Sequence, residues 1–464
     1  MKFNNKISFA LLLPLAATAA LSSCEDKIEV PDLQYKEDPN FAPPHIDPAW
    51  QLVDISSQAG TGAYAYKDKL YDRLFTRSLG WNGGDGVQTT LLPDGNLWWT
   101  FNDSFYGVVN GETRARISSS FPRNTVMVQG SRNGRLGETD DDLHWLASFV
   151  QTSDPNADRY YHARTHIRHP NATLSQEEID RGEIDQEYLY WAGDGTIVDG
   201  KLQQLWNGVW TPHDGTGRMI GQNTCLAIYN LSGKIGDEHY LELESADHDF
   251  LSENPYGYGS TLWEDEDGHT YLYSAVGNGQ WLGNVPIVAR TATHDLRSEW
   301  EYYVPTDDGT MVWQKEYPLE VQAQNSSILG PDQGSLTLPW VFKKGDWYYM
   351  TAQTFPFGRE LVILRSEHPW GPFVDKRELL KFTNPLDELQ GDPFGNEYGN
   401  LYMLHLHQGL SREGELVIST NTDPKDSPDG TVAGFWRQFG TPGSADWYRP
   451  FFFRIFKWER VFDF

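Results

Sequence analysis

The sequence is poor in cysteine, in positive charge and in helical periodicity. It has two cysteines, Cys24 and Cys225, among 464 residues, so a framework of several disulfides is excluded. Lys and Arg number 37 against 65 Asp and Glu, a net charge of −28, which argues against a nucleic-acid partner because phosphates need cationic neutralisation. Motifs of zinc proteases, nucleotide-binding loops and nucleophile elbows are missing too. These classes of enzyme therefore lose support.

The N-terminus has the pattern of an export signal. Lys2 and Lys6 precede the apolar run Ile7–Ala20, which is too short to span a bilayer as a mature helix. Leu21-Ser22-Ser23-Cys24 resembles a bacterial lipobox, and the resemblance implies cleavage before Cys24 and lipidation of that cysteine. An ordinary signal peptide with a chance cysteine is the alternative.

These features predict three segments along the chain. Residues 1–23 form a lipoprotein signal peptide, residues 24–48 an acidic and proline-rich tether, and residues 49–464 a single domain. The predicted location is the outer membrane, with the domain exposed at the cell surface, the lipid as the only membrane contact and a monomeric state. Cys225 lies in an apolar run and is predicted to be a small buried residue.

One hairpin pattern, an apolar run, a tight turn and a second apolar run, recurs five times. Two copies open on a Gly-Asp-Gly triplet, Gly84-Asp85-Gly86 and Gly193-Asp194-Gly195. The ten predicted arms are 87–92 and 97–101, 196–198 and 202–205, 261–264 and 270–274, 336–342 and 347–352, and 401–407 and 416–420. Hairpins with room for two outer strands each predict an all-β, five-bladed propeller. One short helix is predicted at Ser175–Arg181, with Ser175 and Glu178 as a capping box.

Two short motifs resemble those of a known group of enzymes. Residues 365–373, Arg-Ser-Glu-His-Pro-Trp-Gly-Pro-Phe, resemble the strand end and turn common in five-bladed propeller glycoside hydrolases. Gly84-Asp85-Gly86 with Phe101–Phe105 is similar to the opening of a family, formerly of unknown function, that includes bacterial endo-D-arabinanases. Asn102 stands where that family has glycine. The resemblance implies a glycosidase that acts on a furanose-containing, arabinan-like glycan.

Carboxylates that lead into the hairpins are the candidate catalytic residues. Glycosidic cleavage needs two carboxylates that flank the bond, and the innermost strands of a propeller line one common funnel. Asp85 and Asp194 are therefore predicted as the acid and base pair, with Asp332, Asp103 and Glu397 as further candidates. The alternative for each is that the side chain caps a turn.

Aromatic residues make up 14% of the chain, including 18 Trp, which suits stacking on the C–H faces of sugars. The predicted substrate-binding residues lie near the hairpin entrances and are Trp81, Trp206, Tyr258, Trp281 and Gln333. Each of the aromatic residues has a core position as its alternative.

No cofactor is predicted, although calcium is left open. His405 and His407 alternate on one strand and share a face that could help to hold a central cation, but packing and hydrogen bonding are the more frequent roles. The predicted function is that of a cell-surface glycoside hydrolase with a polysaccharide substrate. The alternatives are a non-catalytic glycan-binding lipoprotein and a structural or partner-binding propeller.

Overall fold

The computed structural model describes residues 50–53, 63–132, 134–149, 161–180, 183, 185–279, 283–354, 358–381, 398–411, 414–424, 426–427, 429–432 and 434–463. All of them belong to one unit, Ala49–Phe464. Among the described residues, no helix has both the length and the apolar character needed to cross a membrane.

The first fourteen strands are β1 Trp50–Val53, β2 Tyr64–Asp68, β3 Leu79–Gly84, β4 Gln88–Leu91, β5 Leu97–Phe101, β6 Ser104–Val109, β7 Arg116–Ser120, β8 Thr125–Gln129, β9 Ser131–Arg132, β10 Arg135–Leu136, β11 Leu143–Trp145, β12 Tyr188–Val198, β13 Lys201–Trp210 and β14 Ile220–Asn230. The remaining strands are β15 Leu243–Leu251, β16 Thr261–Glu264, β17 Thr270–Gly277, β18 Asn284–Thr291, β19 Trp300–Pro305, β20 Met311–Gln314, β21 Thr337–Lys344, β22 Trp347–Gln353, β23 Glu360–Ser366, β24 Val374–Lys381, β25 Tyr398–Leu406, β26 Glu415–Pro424 and β27 Phe451–Phe456.

Helices in the described part of the chain are short. The α-helices are α1 Lys69–Leu74, α2 Gln176–Asp180 and α3 Glu320–Gln324. The 3₁₀ helices are Asp140–Asp142, Gln408–Leu410, Gly434–Gln438, Ser444–Asp446 and Trp458–Phe462. At α2 the predicted capping box is confirmed, since Ser175 N donates to Glu178 Oε2 at 2.6 Å and Glu178 N donates to Ser175 Oγ at 3.3 Å.

Five antiparallel sheets of four or five strands form the blades. In chain order they are β4-β5-β8-β11, β12-β13-β14-β15, β16 to β20, β21 to β24, and β25-β26-β27-β2-β1. The innermost strands β4, β12, β16, β21 and β25 contact one another in that order. β25 returns to the first blade, where His405 Nδ1 donates to the Val87 carbonyl at 2.6 Å. The predicted five-bladed propeller is confirmed, and its five hairpins are the two inner strands of each blade.

N-terminal and C-terminal strands close the ring in the fifth blade. β2 pairs with β27, which pairs with β26. Arg454 of β27 donates to Asp68 at 2.6 Å and to Glu415 at 2.7 Å, with all three side chains buried. Loss of one partner would leave an uncompensated buried charge, so this trio ties the two ends of the domain together.

A small sheet extends the first blade. β3, β6 and β7 form a separate three-stranded sheet. β3 runs into β4 through residues 85–87, and β5 runs into β6 through residues 102–103. The two hairpin arms therefore continue side by side beyond the blade, and the break between the sheets brings the two short connections next to each other.

Candidate active site

Asp85 and Asp103 lie opposite each other where the small sheet meets the first blade. Asp85 N donates to the Asp103 carbonyl at 3.2 Å, and Asn102 N donates to the Asp85 carbonyl at 2.8 Å. These bonds join the β3–β4 and β5–β6 connections as neighbouring strands. The backbone itself therefore places two carboxyl groups together, as cross-strand neighbours.

The two glycines of the first triplet fit this crossing closely. A Cβ on Gly84 would lie 2.8 Å from Ser104 Oγ. Gly86 has a φ of +57°, and a Cβ there would lie 1.9 Å from Asn102 Nδ2. Glycine is the residue that adopts a left-handed conformation at little cost, so the triplet fixes the direction in which Asp85 leaves the chain.

Asp85 is buried between two tyrosines. Asp85 Oδ2 accepts hydrogen bonds from Tyr448 Oη at 3.0 Å and from Tyr402 Oη at 3.2 Å. Burial raises the pKa of Asp85 well above its usual range, and the charges of Asp103 and Asp423 raise it further, against the lowering effect of the tyrosine donors. A protonated Asp85 can accept both phenols on Oδ2 and carry its proton on Oδ1.

Asp103 has a cation and an indole as neighbours. Arg123 Nε lies 3.3 Å from Asp103 Oδ1, and Trp191 Nε1 donates to the same oxygen at 3.3 Å. Burial raises the pKa of Asp103, while Arg123 and Trp191 lower it. Because Arg123 lies at contact distance from Asp103, and no cation among the described residues does so for Asp85, Asp103 is the member of the pair that more readily carries the negative charge.

Asp423 of β26 is a third carboxylate in the same cluster. Gln438 Nε2 donates to Asp423 Oδ1 at 2.8 Å. Burial raises the pKa of Asp423 to about 6, and its charge acts on Asp85, Tyr402 and Tyr448. Asp85, Asp103 and Asp423 are called the carboxylate cluster below.

A cavity of about 270 Å³ adjoins the carboxylate cluster. Asn102, Trp191 and Met403 line it, and these residues also contact the Asp85–Asp103 crossing. The lining is uncharged and presents amides, hydroxyls and aromatic rings. It also includes His405, and burial lowers the pKa of this histidine to about 4. Two non-glycine residues of this wall, Leu338 and Met403, have φ values of 53° and 54°, and such backbone strain concentrates at functional sites.

Asp194 lies on a different cavity. Its Oδ1 accepts from Gly195 N at 2.8 Å and its Oδ2 from Leu262 N at 3.0 Å. It lines a space of about 450 Å³ along the propeller axis, together with Thr90 and Glu264. Burial raises the pKa of Asp194 to about 7. The structure thus brings Asp85 together with Asp103 and Asp423, not with Asp194.

The placement of Asp332 and Gln333 corrects their prediction as axial site residues. Asp332 is exposed with a φ of 63°, in a turn outside the blades. Gln333 Oε1 accepts from Lys376 N at 3.2 Å and its Nε2 donates to the Pro331 carbonyl at 2.8 Å. Neither residue lines either of the two cavities. Both residues precede β21 in the chain, as expected. Gln333, however, contacts Lys376 of β24, the outermost strand of that blade, so the segment lies away from the axis.

Three aromatic residues predicted to bind the substrate belong to the core. Trp81, Trp206 and Tyr258 are fully buried, and Trp81 stacks on Trp145 with a centroid separation of 5.1 Å. No ring face is left for a sugar, so these predictions are wrong as stacking platforms. Two other predicted residues, Glu397 and Trp281, lie outside the described residues.

His405 of β25 and His407, just after that strand, act as hydrogen-bonding residues. His405 Nδ1 bonds to Val87, as above, and His407 bonds to Thr89 Oγ1 at 3.2 Å and to Ser419 Oγ at 2.8 Å. Over the part of the chain that the structure describes, no three His, Cys, Asp or Glu side chains gather in a metal-binding group. Calcium binding stays an untested alternative.

Sequence reasoning missed five residues of the site. They lie on three strands and two connections and are Arg123, Trp191, Tyr402, Asp423 and Tyr448. No motif links them, because the ring closure and the small sheet bring them together only in three dimensions. The one local signal was the strand end after Thr420, where Asp423 follows a continuous polar run.

Together, the fold and the site define a five-bladed β-propeller with a buried carboxylate cluster at one end of its first blade. The chain belongs to the family described as Domain of unknown function (DUF5005), whose model matches residues 68–458. A crystal structure from Bacteroides ovatus ATCC 8483, described provisionally as a hydrolase, is 48% identical at a TM-score of 0.81 and covers 95% of this chain and 98% of that one.

A more distant similarity is to the Cellvibrio cellulosa α-L-arabinanase solved with arabinohexaose. It is 12% identical, covers 81% of this chain and 91% of that chain, and has a TM-score of 0.39. A similarity at that level carries no functional inference. No curated protein matches the chain.

Proposed function

We propose that this protein is a glycoside hydrolase that cleaves a polysaccharide, with furanose-containing, arabinan-like glycans as the first substrates to test. The observation that carries the proposal is the convergence of Asp85, Asp103 and Asp423 beside a cavity with amide, hydroxyl and aromatic walls. Glycosidic bond cleavage uses a carboxylic acid and a carboxylate on either side of the bond. The provisional description of the related Bacteroides ovatus protein as a hydrolase supports the same class of chemistry.

The two cross-strand carboxyl groups have different roles in this proposal. Asp85, held between Tyr402 and Tyr448, is the acid that protonates the leaving oxygen from Oδ1. Asp103, beside Arg123, is the carboxylate that acts as base or nucleophile. Environments that separate the proton affinities of two carboxyl groups are the usual means by which one site holds both an acid and a base.

Asp423 and the tyrosines act through Asp85. The negative charge of Asp423 favours the protonated form of Asp85, whereas the two phenol donors favour the ionised form. These opposing effects set the pH at which Asp85 releases its proton. Asp423 is therefore a positioning and tuning residue in this proposal, not the reacting acid.

The alternative function, a non-catalytic glycan-binding protein, needs aromatic and polar side chains but no carboxylate pair. The carboxylate cluster favours hydrolysis over binding alone, since burial of three acids beside a cavity is costly without a chemical role. The experiment below separates the two functions.

Purified domain is incubated with plant, fungal and mycobacterial polysaccharides, and released reducing ends are measured for the wild type, Asp85→Asn and Asp103→Asn. Hydrolysis of at least one polysaccharide is expected for the wild type and near-complete loss for each variant, with the folded state checked by thermal unfolding. Full activity of both variants would contradict the assigned pair. Binding without released ends would favour the alternative.

Location is a separate proposal that follows from the N-terminal sequence. Lipidation of Cys24 would hold the domain at the outer membrane through the tether, with the glycan as its extracellular partner. Membrane fractionation of cells that express the wild type or Cys24→Ala tests it. An equal membrane-bound fraction in both would contradict lipidation at Cys24.

A further inference from the structure

An exposed aromatic pair lies near the carboxylate cluster. Trp436 is 62% exposed and Phe439 is 36% exposed. Their ring centroids are 5.8 Å apart, at an interplanar angle of 39°. Large exposed apolar groups that lie together mark interaction surfaces more often than scattered ones do. This pair, Trp436 and Phe439, is called the aromatic platform below.

The chain beneath the platform is fixed by the candidate active site. Gln438, between the two aromatic residues, is buried and donates to Asp423 Oδ1 at 2.8 Å. Its carbonyl accepts from Arg116 Nη1 at 3.1 Å, and the guanidinium of Arg437 lies 5.0 Å from the ring centroid of Trp447. An exposed ring on so well anchored a turn loses little conformational entropy when a ligand binds.

Ring contacts connect the platform to the proposed acid. Phe439 lies 4.9 Å from Phe105, and Phe105 lies 5.7 Å from Tyr448. Tyr448 in turn donates to Asp85. Ring contacts thus join the platform to a residue that holds the proposed acid, and a glycan that reaches both the carboxylates and the platform must be longer than one sugar.

We propose that Trp436, supported by Phe439, stacks on a sugar residue of the same glycan chain, distant from the bond that is cleaved. This inference rests on the proposed function. Aromatic faces complement the C–H faces of uncharged sugars, and the net charge of −28 disfavours polyanionic chains such as polyuronides. The substrate is accordingly a neutral glycan of several residues, and the protein acts on polymers in preference to single-sugar glycosides.

Native affinity gels that contain arabinan, arabinogalactan or xylan test the platform without requiring catalysis. The proteins are the wild type, Asp85→Asn, Trp436→Ala and Trp436→Phe, with Leu319→Ala as the matched control because Leu319 is 69% exposed elsewhere on the surface. At least one polysaccharide is expected to retard the wild type, Asp85→Asn, Trp436→Phe and Leu319→Ala. Trp436→Ala is expected to bind it more weakly by roughly tenfold or more.

The kinetic counterpart uses any polysaccharide that the wild type cleaves. Trp436→Ala is expected to raise KM for the polymer with little change in kcat, and to leave cleavage of the shortest accepted oligosaccharide unchanged. Equal binding by Trp436→Ala and the wild type would overturn the inference, as would no retardation of the wild type by any gel. A monomer released from a dimer by Trp436→Ala, measured by size-exclusion chromatography, would overturn it in favour of a second copy of the chain.

Failure of this inference and failure of the proposed function give different results. Retardation that depends on Trp436, without released reducing ends, leaves the platform intact and removes the hydrolase. Hydrolysis that depends on Asp85 and Asp103, with no effect of Trp436→Ala on polymers, leaves the hydrolase intact and removes the platform.

Discussion

Asp85 precedes the innermost strand of the first blade and Asp194 lies within that of the second, each between two glycines, yet their carboxyl groups meet different partners. Asp85 accepts two phenols and lies beside Asp103 and Asp423. Asp194 accepts two backbone N–H groups, from Gly195 and Leu262. Asp85 is thus held by phenol side chains within the carboxylate cluster, whereas Asp194 is held mainly by backbone N–H groups, with the Thr90 side chain as a further partner.

The difference arises from how each strand begins. In the first blade the chain crosses from β3 to β4 beside the matching crossing from β5 to β6, so Asp85 faces Asp103. In the second blade, β12 continues through an irregularity between Ala192 and Gly195, and Asp194 instead reaches the third blade. The carboxylate pair therefore depends on the small sheet, whose strands β3 and β6 flank the inner hairpin of the first blade, and not on the Gly-Asp-Gly triplet alone.

The largest expected contrast is in catalysis. Asp85→Asn removes the proposed acid and is expected to lower kcat/KM by about 10²- to 10⁴-fold, the usual contribution of general acid–base catalysis. Asp194→Asn, which lies outside the carboxylate cluster, is expected to stay near the wild-type value. Reducing-end assays on the cognate polysaccharide compare them, with thermal unfolding as the folding control. Equal losses would restore Asp85 and Asp194 as the pair.

A second contrast concerns the glycines that follow the two aspartates. Gly86→Ala places a Cβ at positive φ and 1.9 Å from Asn102 Nδ2, whereas Gly195→Ala brings its Cβ to 2.9 Å from Gln204 Oε1 without positive φ. We expect a loss in the free energy of unfolding of about 3 kcal/mol for Gly86→Ala and about 1 kcal/mol for Gly195→Ala. Urea unfolding measures both. A smaller loss for Gly86→Ala than for Gly195→Ala would show that the first crossing is not the tighter one.

Much of the fold was predictable because its signals are local. Apolar alternation and Asp-Gly turns such as Asp94-Gly95 and Asp199-Gly200 depend on neighbouring residues, and the structure forms these hairpins. The site was predictable only in part. Asp85 and Asp103 stood out beside strand ends, but Tyr448 and Asp423 reach Asp85 from more than 300 residues away in the chain.

The positions of the aromatic residues, too, could be predicted from the sequence only in part. Trp81 and Trp206 lie next to predicted turns in the sequence, but the structure buries both completely. Trp191, which the sequence did not mark, donates to Asp103. Side-chain direction depends on β-bulges and on the packing between blades, and neither leaves a local pattern in the sequence.

A third contrast concerns the pH dependence of stability. Asp194 releases its proton at about pH 7 in the folded protein, because burial raises the pKa, against 3.8 ordinarily. Between these values the folded state binds the extra proton, so the stability contributed by protonated Asp194 falls as pH rises. Relative to Asp194→Asn, the wild type is expected to lose up to about 1.4 kcal/mol per pH unit from pH 4 to 7.

Urea unfolding at several pH values measures that difference, and Asp332→Asn is the control because Asp332 is exposed. A wild type that gains stability over Asp194→Asn as the pH rises would contradict the buried, protonated state of Asp194.

The smallest expected effect concerns the tyrosines that distinguish Asp85 from Asp194. The Tyr448 hydroxyl stabilises the ionised form of Asp85, so its removal in Tyr448→Phe raises the pKa of Asp85. Since the proposed mechanism needs protonated Asp85, the alkaline limb of kcat/KM is expected to move upward by roughly 1 pH unit. Tyr240→Phe is the matched control, because its hydroxyl donates to Asp94 in a turn away from the site. An alkaline limb that stays in place for Tyr448→Phe, or that moves equally for both variants, would mean that Asp85 does not supply the proton.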